Sequence, residues 1–193
     1  MSLMPGFKPT EAQAEGLIIG TLMAGYGELE MEICGCLITS EYNFDMPVRE
    51  VFGETGAEKP IERVKKLLKQ DYTNAGLFAE LSEALADMDY CRKIRNQYAH
   101  CQWYWTSKEG LCFVNLEDLA KQSGTITGLT KGKRPINVSL LKQQEAFFTY
   151  VKFRLRHIGD LYKAWDAKKA KGSRPAIHIS PKQPKIAQPM MHN

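Results

Sequence analysis

Histidine is scarce in this chain, with four in 193 residues. No Cys-x-x-Cys pair occurs among the five cysteines, which removes the usual zinc knuckle and the thioredoxin-like redox pair. HExxH and Gly-x-Ser-x-Gly are both absent, so a zincin protease and a hydrolase nucleophile elbow are excluded. Long apolar runs are missing too. The most hydrophobic stretch, residues 17–36, is interrupted by Glu28, Glu30 and Glu32, so no membrane role is expected. The first residues lack the basic, then apolar, then small-residue order of a secretory signal. A reduced, cytoplasmic setting is expected, with Cys34, Cys36, Cys91, Cys101 and Cys112 as free thiols. Internal repeats are absent. From residue 167 onward there is no acid, while Lys168, Lys169, Lys171, Arg174, Lys182 and Lys185 are all basic. The remainder carries 20 basic against 22 acidic residues, so the formal charge of +4 belongs to the tail. Such a tail either attracts nucleic acid through counterion release or is a solvated, disordered end.

What is present suits one soluble domain. Hydrophobic residues make up 44% and charged residues 25%, enough for a sizeable core. Ile18, Leu22, Leu29 and Ile33 recur at helical spacing, which predicts a long helix over residues 11–39 with Thr10 as cap. Residues 43–56 hold Pro47, Gly53 and Gly56 and read as a connection. A short helix follows over 59–70, with Pro60 in its first turn and Ile61, Val64, Leu67 and Leu68 on one face. Residues 71–76 read as a break. The clearest helix covers 77–101 on the stripe Leu77, Leu81, Ala84, Leu85, Met88 and Cys91. Trp103 to Thr106 and Leu111 to Val114 flank a Lys-Glu-Gly turn, a β-hairpin signal in which Trp103, Tyr104 and Trp105 serve as packing residues or, alternatively, as platforms for stacked bases. Residues 117–121 suit a turn or two of helix, and 124–135 a loop. A last helix spans 138–168, capped by Asn137 or Ser139. Beyond it, Gly172, Pro175, Pro181, Pro184 and Pro189 punctuate a segment read as disordered or loosely docked. The expected organisation is a helical domain over 1–168 and a basic, proline-containing tail over 169–193. The fold class is mainly α: a bundle of three long helices and a short one with a small β-hairpin.

One constellation carries chemistry: Arg95-Asn96-Gln97-Tyr98-Ala99-His100, near the end of the clearest helix. At 100° per residue, Leu81, Met88 and Arg95 lie almost in line. Arg95 thus stands where the apolar stripe calls for another leucine. A guanidinium there needs a carboxylate, an open cleft, an interface or an anion, because an unpaired buried charge costs several kcal/mol. Glu28 and Glu32 of the first helix are the candidate carboxylates. Asn96 and His100 are one turn apart on one face, with Arg92 a turn earlier, forming a polar ridge. A phosphate fits between the arginines and the imidazole, and histidine with its ordinary pKa of about 6.5 serves as acid or base. A histidine in a last turn equally well caps free carbonyls. Gly128 to Lys133 has one residue too few for a phosphate loop and Arg134 in place of the hydroxyl residue. Asp87 and Asp89, near the motif, do not by themselves make a metal site.

The six residues resemble the Rx4–6H motif of HEPN domains, in which a polar residue such as asparagine commonly follows the arginine. The setting, late in a core helix of a compact bundle, is similar as well. The resemblance implies a metal-independent endoribonuclease that needs no cofactor, works as a homodimer, and belongs to a toxin–antitoxin or defence system with RNA as target and an antitoxin or regulatory protein as partner. His100 would be the general base or acid, Arg95 the phosphate ligand and Asn96 the orienting residue. Arg92 is added from helical geometry as an auxiliary phosphate contact. Where some HEPN toxins carry a modifiable tyrosine two residues after the histidine, this chain has Gln102, with Tyr104 two further on. The competing expectation is a non-catalytic helical dimerisation or interaction module in which Arg95 and His100 are structural.

Overall fold

The computed structural model describes residues 12–38, 44–53, 60–121, 133–171 and 185–192. They form α1 (Gln13–Leu37), α2 (Asp45–Phe52), α3 (Pro60–Asn74), α4 (Phe78–Ala99), β1 (Cys101–Thr106), β2 (Gly110–Asn115), α5 (Leu116–Ala120), β3 (Arg134–Pro135) and α6 (Val138–Lys171). The architecture is mainly helical with a small antiparallel sheet in the order β1-β2-β3. α1 and α6 make the most extensive helix–helix contact, and α4 packs on both. The core between them holds Leu22, Leu29 and Ile33 of α1, Leu81, Leu85, Met88 and Ile94 of α4, and Leu141, Phe147 and Leu155 of α6. Each such side chain contributes roughly 1.5–3 kcal/mol by leaving water. α3 closes one side through Tyr72, whose ring stacks on Tyr162 at 4.4 Å and whose hydroxyl donates to the Cys36 carbonyl at 3.2 Å.

Local chemistry sets most element ends. Gly76 takes φ +72°, which turns the chain between α3 and α4. Gly110 takes the same φ where the hairpin turn enters β2, with the Trp105 ring against it. Asn115 caps α5 by accepting from the Glu117 and Asp118 amides, and the Asn137 side chain caps α6 by accepting from Leu140 N–H. In the hairpin, Trp103 and Phe113 lean on the main core, while Tyr104, Cys112, Val114 and Leu119 form a second small cluster. Cys34 and Cys36 are buried free thiols that donate to different carbonyls, those of Pro47 and Leu155.

The structure differs from the sequence expectation in several places. Residues 45–52 are helical rather than a connection. Pro47 falls in the first turn of α2, where no N–H is needed, and Arg49 pairs with Asp45 one turn back. α3 runs on to Asn74, so the break shrinks to the turn at Gly76. β3 adds a third strand of two residues, Arg134 and Pro135, within the stretch expected as loop. Finally, of the two readings of the last segment, disordered or loosely docked, residues 185–192 follow the docked one. They lie along α4 and α6, with Pro189 and His192 buried. The helix before them extends to Lys171 rather than 168. The Thr10 cap, the rest of the expected loop (residues 122–132) and residues 172–184 of the basic tail lie outside the described residues.

Candidate functional site at the end of α4

α4 delivers the motif through its own packing. Leu81, Ala84, Leu85, Met88 and Cys91 are buried as the stripe requires. Towards its C-terminal end the buried face shifts to Ile94, Gln97 and Tyr98. Arg95 is left at the border of that face, half-buried and turned towards α1. His100 follows the last residue of the helix, with φ −108° and ψ 29°, and its carbonyl accepts from Leu116 N–H at 3.2 Å. The hairpin begins there, so the histidine side chain is set at the junction of helix and sheet.

The Arg95 guanidinium has few partners for its position. One terminal nitrogen donates to Asn96 Oδ1 at 2.9 Å, and its carbon lies 5.8 Å from the centre of the Tyr26 ring. Its Nε is buried without a hydrogen-bond partner. Neither expected carboxylate reaches it. Glu28 pairs with Lys152 at 2.8 Å, and Glu32 pairs with Arg156. The nearby acid of α1 is instead Glu30, whose carboxyl is pushed above the usual range by burial, with Arg95 pulling it partly back. Burial also raises the Tyr26 phenol above its ordinary value, and Glu30 adds to that. A cation–π contact contributes about 0.5–2 kcal/mol. Desolvating a guanidinium costs several kcal/mol. The local protein groups therefore do not fully answer this charge.

Of the four expected site residues, Arg95 and Asn96 are in direct contact. His100 stands one turn further on, its side chain about half exposed. Its Nδ1 lies 3.9 Å from Glu117 Oε1, a carboxylate supplied by the first turn of α5. Arg92 is engaged differently from the expectation, since its guanidinium is held by Asp89 on its own helix at 2.9 Å. The site also includes Tyr26, Glu30 and Glu117, which the sequence reading did not single out. Tyr26 and Glu30 were legible only as members of the first helix. Glu117 becomes a neighbour of His100 because the hairpin pairs Cys101 with Asn115 and returns the chain to its start. Asp87 does not join this site, because it is buried between Arg154 and Gln188, each at 2.9 Å. Among the described residues no group of three or more His, Cys, Asp or Glu side chains could hold a metal ion. Among them no helix is long and apolar enough to cross a membrane. Comparison of the chain with family models, curated proteins and solved structures finds no match.

Proposed function

We propose that the chain is a HEPN-like, RNA-binding protein that cleaves RNA without a metal ion as a homodimer of a toxin–antitoxin or defence system. The observation that carries this reading is Arg95: a half-buried guanidinium whose Nε has no partner, held by Asn96, one turn from an exposed histidine. A phosphodiester supplies what the local groups do not, a compact anion that accepts several N–H bonds. In this reading His100 takes the proton of a ribose 2′-hydroxyl, and that oxygen attacks the adjacent phosphorus. Arg95 binds the charge that develops on the phosphoryl oxygens. The 5′-oxygen leaves with a proton from the His100 of a second copy, which is where the homodimer enters. The products are a 2′,3′-cyclic phosphate and a 5′-hydroxyl. Asn96 fixes the guanidinium, and Glu117 orients the imidazole. Arg92 is a secondary phosphate contact that must exchange Asp89 for the ligand.

Cleavage of a broad RNA set in EDTA by the wild-type protein and by His100→Ala tests this. The expected result is cleavage by the wild type and a loss of at least a hundredfold in the variant. Equal rates, or no cleavage by either protein, remove the catalytic reading. The alternative, a non-catalytic interaction module, draws on the contact of Arg95 with Tyr26, which joins α4 to α1. That reading gives Arg95 and His100 purely structural work.

A further inference from the structure

The other side of the same six residues is also engaged. Gln97 and Tyr98 point away from the arginine–histidine face and into a groove between α4, the sheet and α6. Residues 185–192 fill it. Gln188 donates to Asp87 Oδ1 at 2.9 Å. Tyr90 donates to the Pro189 carbonyl at 2.5 Å, and Gln144 to the Met190 carbonyl at 3.1 Å. Gln97 holds the main chain of His192 on both sides, donating to its carbonyl at 2.7 Å and accepting from its amide at 3.3 Å. Most of these contacts read main-chain atoms, as a peptide-binding groove does.

Two features tie the groove closely to this segment. Gln144 is fully buried on a face otherwise occupied by Leu141, Phe147, Phe148 and Val151. A buried amide is costly unless each end is bonded, and one end of Gln144 is satisfied by Met190. The second feature is a pocket for one side chain. The His192 ring lies edge-on to Phe113 and Tyr98, both 5.9 Å away. Its Nε2 faces Asn137 N–H at 3.0 Å and so must offer a lone pair. The network therefore places the proton on Nδ1, which donates to Tyr98 Oη at 2.7 Å, and Tyr98 in turn donates to Gln144 Oε1 at 2.6 Å. Every donor has one acceptor, and the relay works only with a neutral ring.

We propose that this groove is a peptide site whose resident ligand is the chain's own C-terminal segment, and that protonation of His192 releases it from α4. The inference concerns occupancy of the groove and stands apart from the ribonuclease reading. A second ring proton would point at Asn137 N–H, donor against donor. The charged group facing the segment from β3 is Arg134, which approaches the His192 carbonyl at 3.4 Å and is itself paired with Asp118 of α5. Nearest the ring, α4 and β1 present Tyr98 and Cys101, both pushed up by burial and neutral at working pH. Further along the segment α4 presents Asp87 to Gln188, Tyr90 to Pro189 and Glu83 to Lys185. α6 presents Gln144, and the turn before it presents Asn137. No carboxylate bonds the ring among the described residues. Burial first, and then the Arg134 charge, hold His192 below its ordinary value against an upward pull from the Asn137 backbone. The placed hydrogen bond, with Asn137 N–H donating to Nε2, itself favours the neutral ring. A lowered histidine pKa means that the undocked segment binds the proton first. Docking is then at full strength above about pH 6.5 and weakens by up to tenfold per pH unit below it, until the docked ring itself titrates.

Hydrogen exchange by NMR on the full-length protein between pH 7.5 and 5.0 tests this. The reporters are the amides of His192 and Asn137, both bonded across the groove. Protection factors, which already remove the intrinsic pH dependence of exchange, are expected to fall as much as tenfold per unit below pH 6.5. In His192→Gln, whose side chain does not titrate, they are expected to stay flat. An unprotected His192 amide at pH 7.5, or wild-type protection that is flat with pH, overturns the proposal. A His192→Gln protein that keeps the wild-type slope overturns it as well. Should that variant not fold, the wild-type titration alone decides.

Discussion

Arg95 separates function from stability at the scale of a single residue. A charge kept for the fold is paired and bonded, and removing one partner of such a pair costs about 3–5 kcal/mol. Arg95 has one hydrogen bond, a ring face and an orphaned Nε. Arg95→Met keeps the straight apolar stem over Tyr26 and removes the ion. Its stability is expected to stay within about 1 kcal/mol of wild type, or to rise, because the desolvation cost goes with the charge. RNA binding, read by fluorescence anisotropy at low salt, is expected to fall at least tenfold. A loss of several kcal/mol in chemical denaturation would instead assign Arg95 to the fold and favour the interaction-module reading. The geometric oddity was legible in the sequence, since a 100° rotation per residue puts Arg95 in line with Leu81 and Met88. The identity of its neighbour was not. Glu28, Glu30 and Glu32 are equally spaced, and only the rotation of α1 against α4 and α6 decides which one approaches α4.

At the scale of the element, glycines in the long helices divide into two kinds. A Cβ added at Gly20, Gly27 or Gly35 of α1 meets nothing within 4 Å. One added at Gly159 of α6 comes within 3.3 Å of Cys36 Sγ and 3.8 Å of the Cys36 Cα. Helix propensity alone favours alanine over glycine by about 1 kcal/mol. Gly20→Ala and Gly27→Ala are therefore expected to raise the urea midpoint, each by about 1 kcal/mol of stability. Gly159→Ala is expected to gain nothing or to lose, since α1 and α6 touch there through backbone as well as sulfur. Equal gains at all three sites would mean that the two helices are not in such close contact. Which helical glycine faces a neighbour is not written in the sequence, because it depends on crossing geometry. The same blindness explains α2. Pro47 and Gly53 are breakers in a linear reading, but one sits in the first turn and the other just past the end. The two-residue strand β3 was too short to leave a periodic signal. Helices α1, α4 and α6 were legible because each repeats its apolar spacing over several turns.

At the scale of the whole molecule, residues 185–192 close the groove between α4 and α6, and composition alone left open whether they dock. Proline and lysine argue for solvation, but the segment's capture depends on Gln97, Gln144, Tyr90 and Tyr98, which lie far away in sequence. Polar residues on a buried helical face were the available clue. A chain ending at residue 184 leaves the Gln144 Nε2 and both ends of the Gln97 amide without their present partners. Each orphaned group costs about 1–3 kcal/mol if water does not reach it. The truncated chain is therefore expected to lose several kcal/mol, beyond the buried area of Pro189 and His192. Gln144→Leu supplies the control. In the full-length chain it strands Tyr98 Oη and the Met190 carbonyl, so it is expected to destabilise. In the truncated chain it removes an amide that has already lost a partner, so its cost is expected to shrink or change sign. The interaction term of this cycle measures how tightly the segment is read by the core. Additive effects in equilibrium denaturation would show that the segment rests on the bundle without completing it.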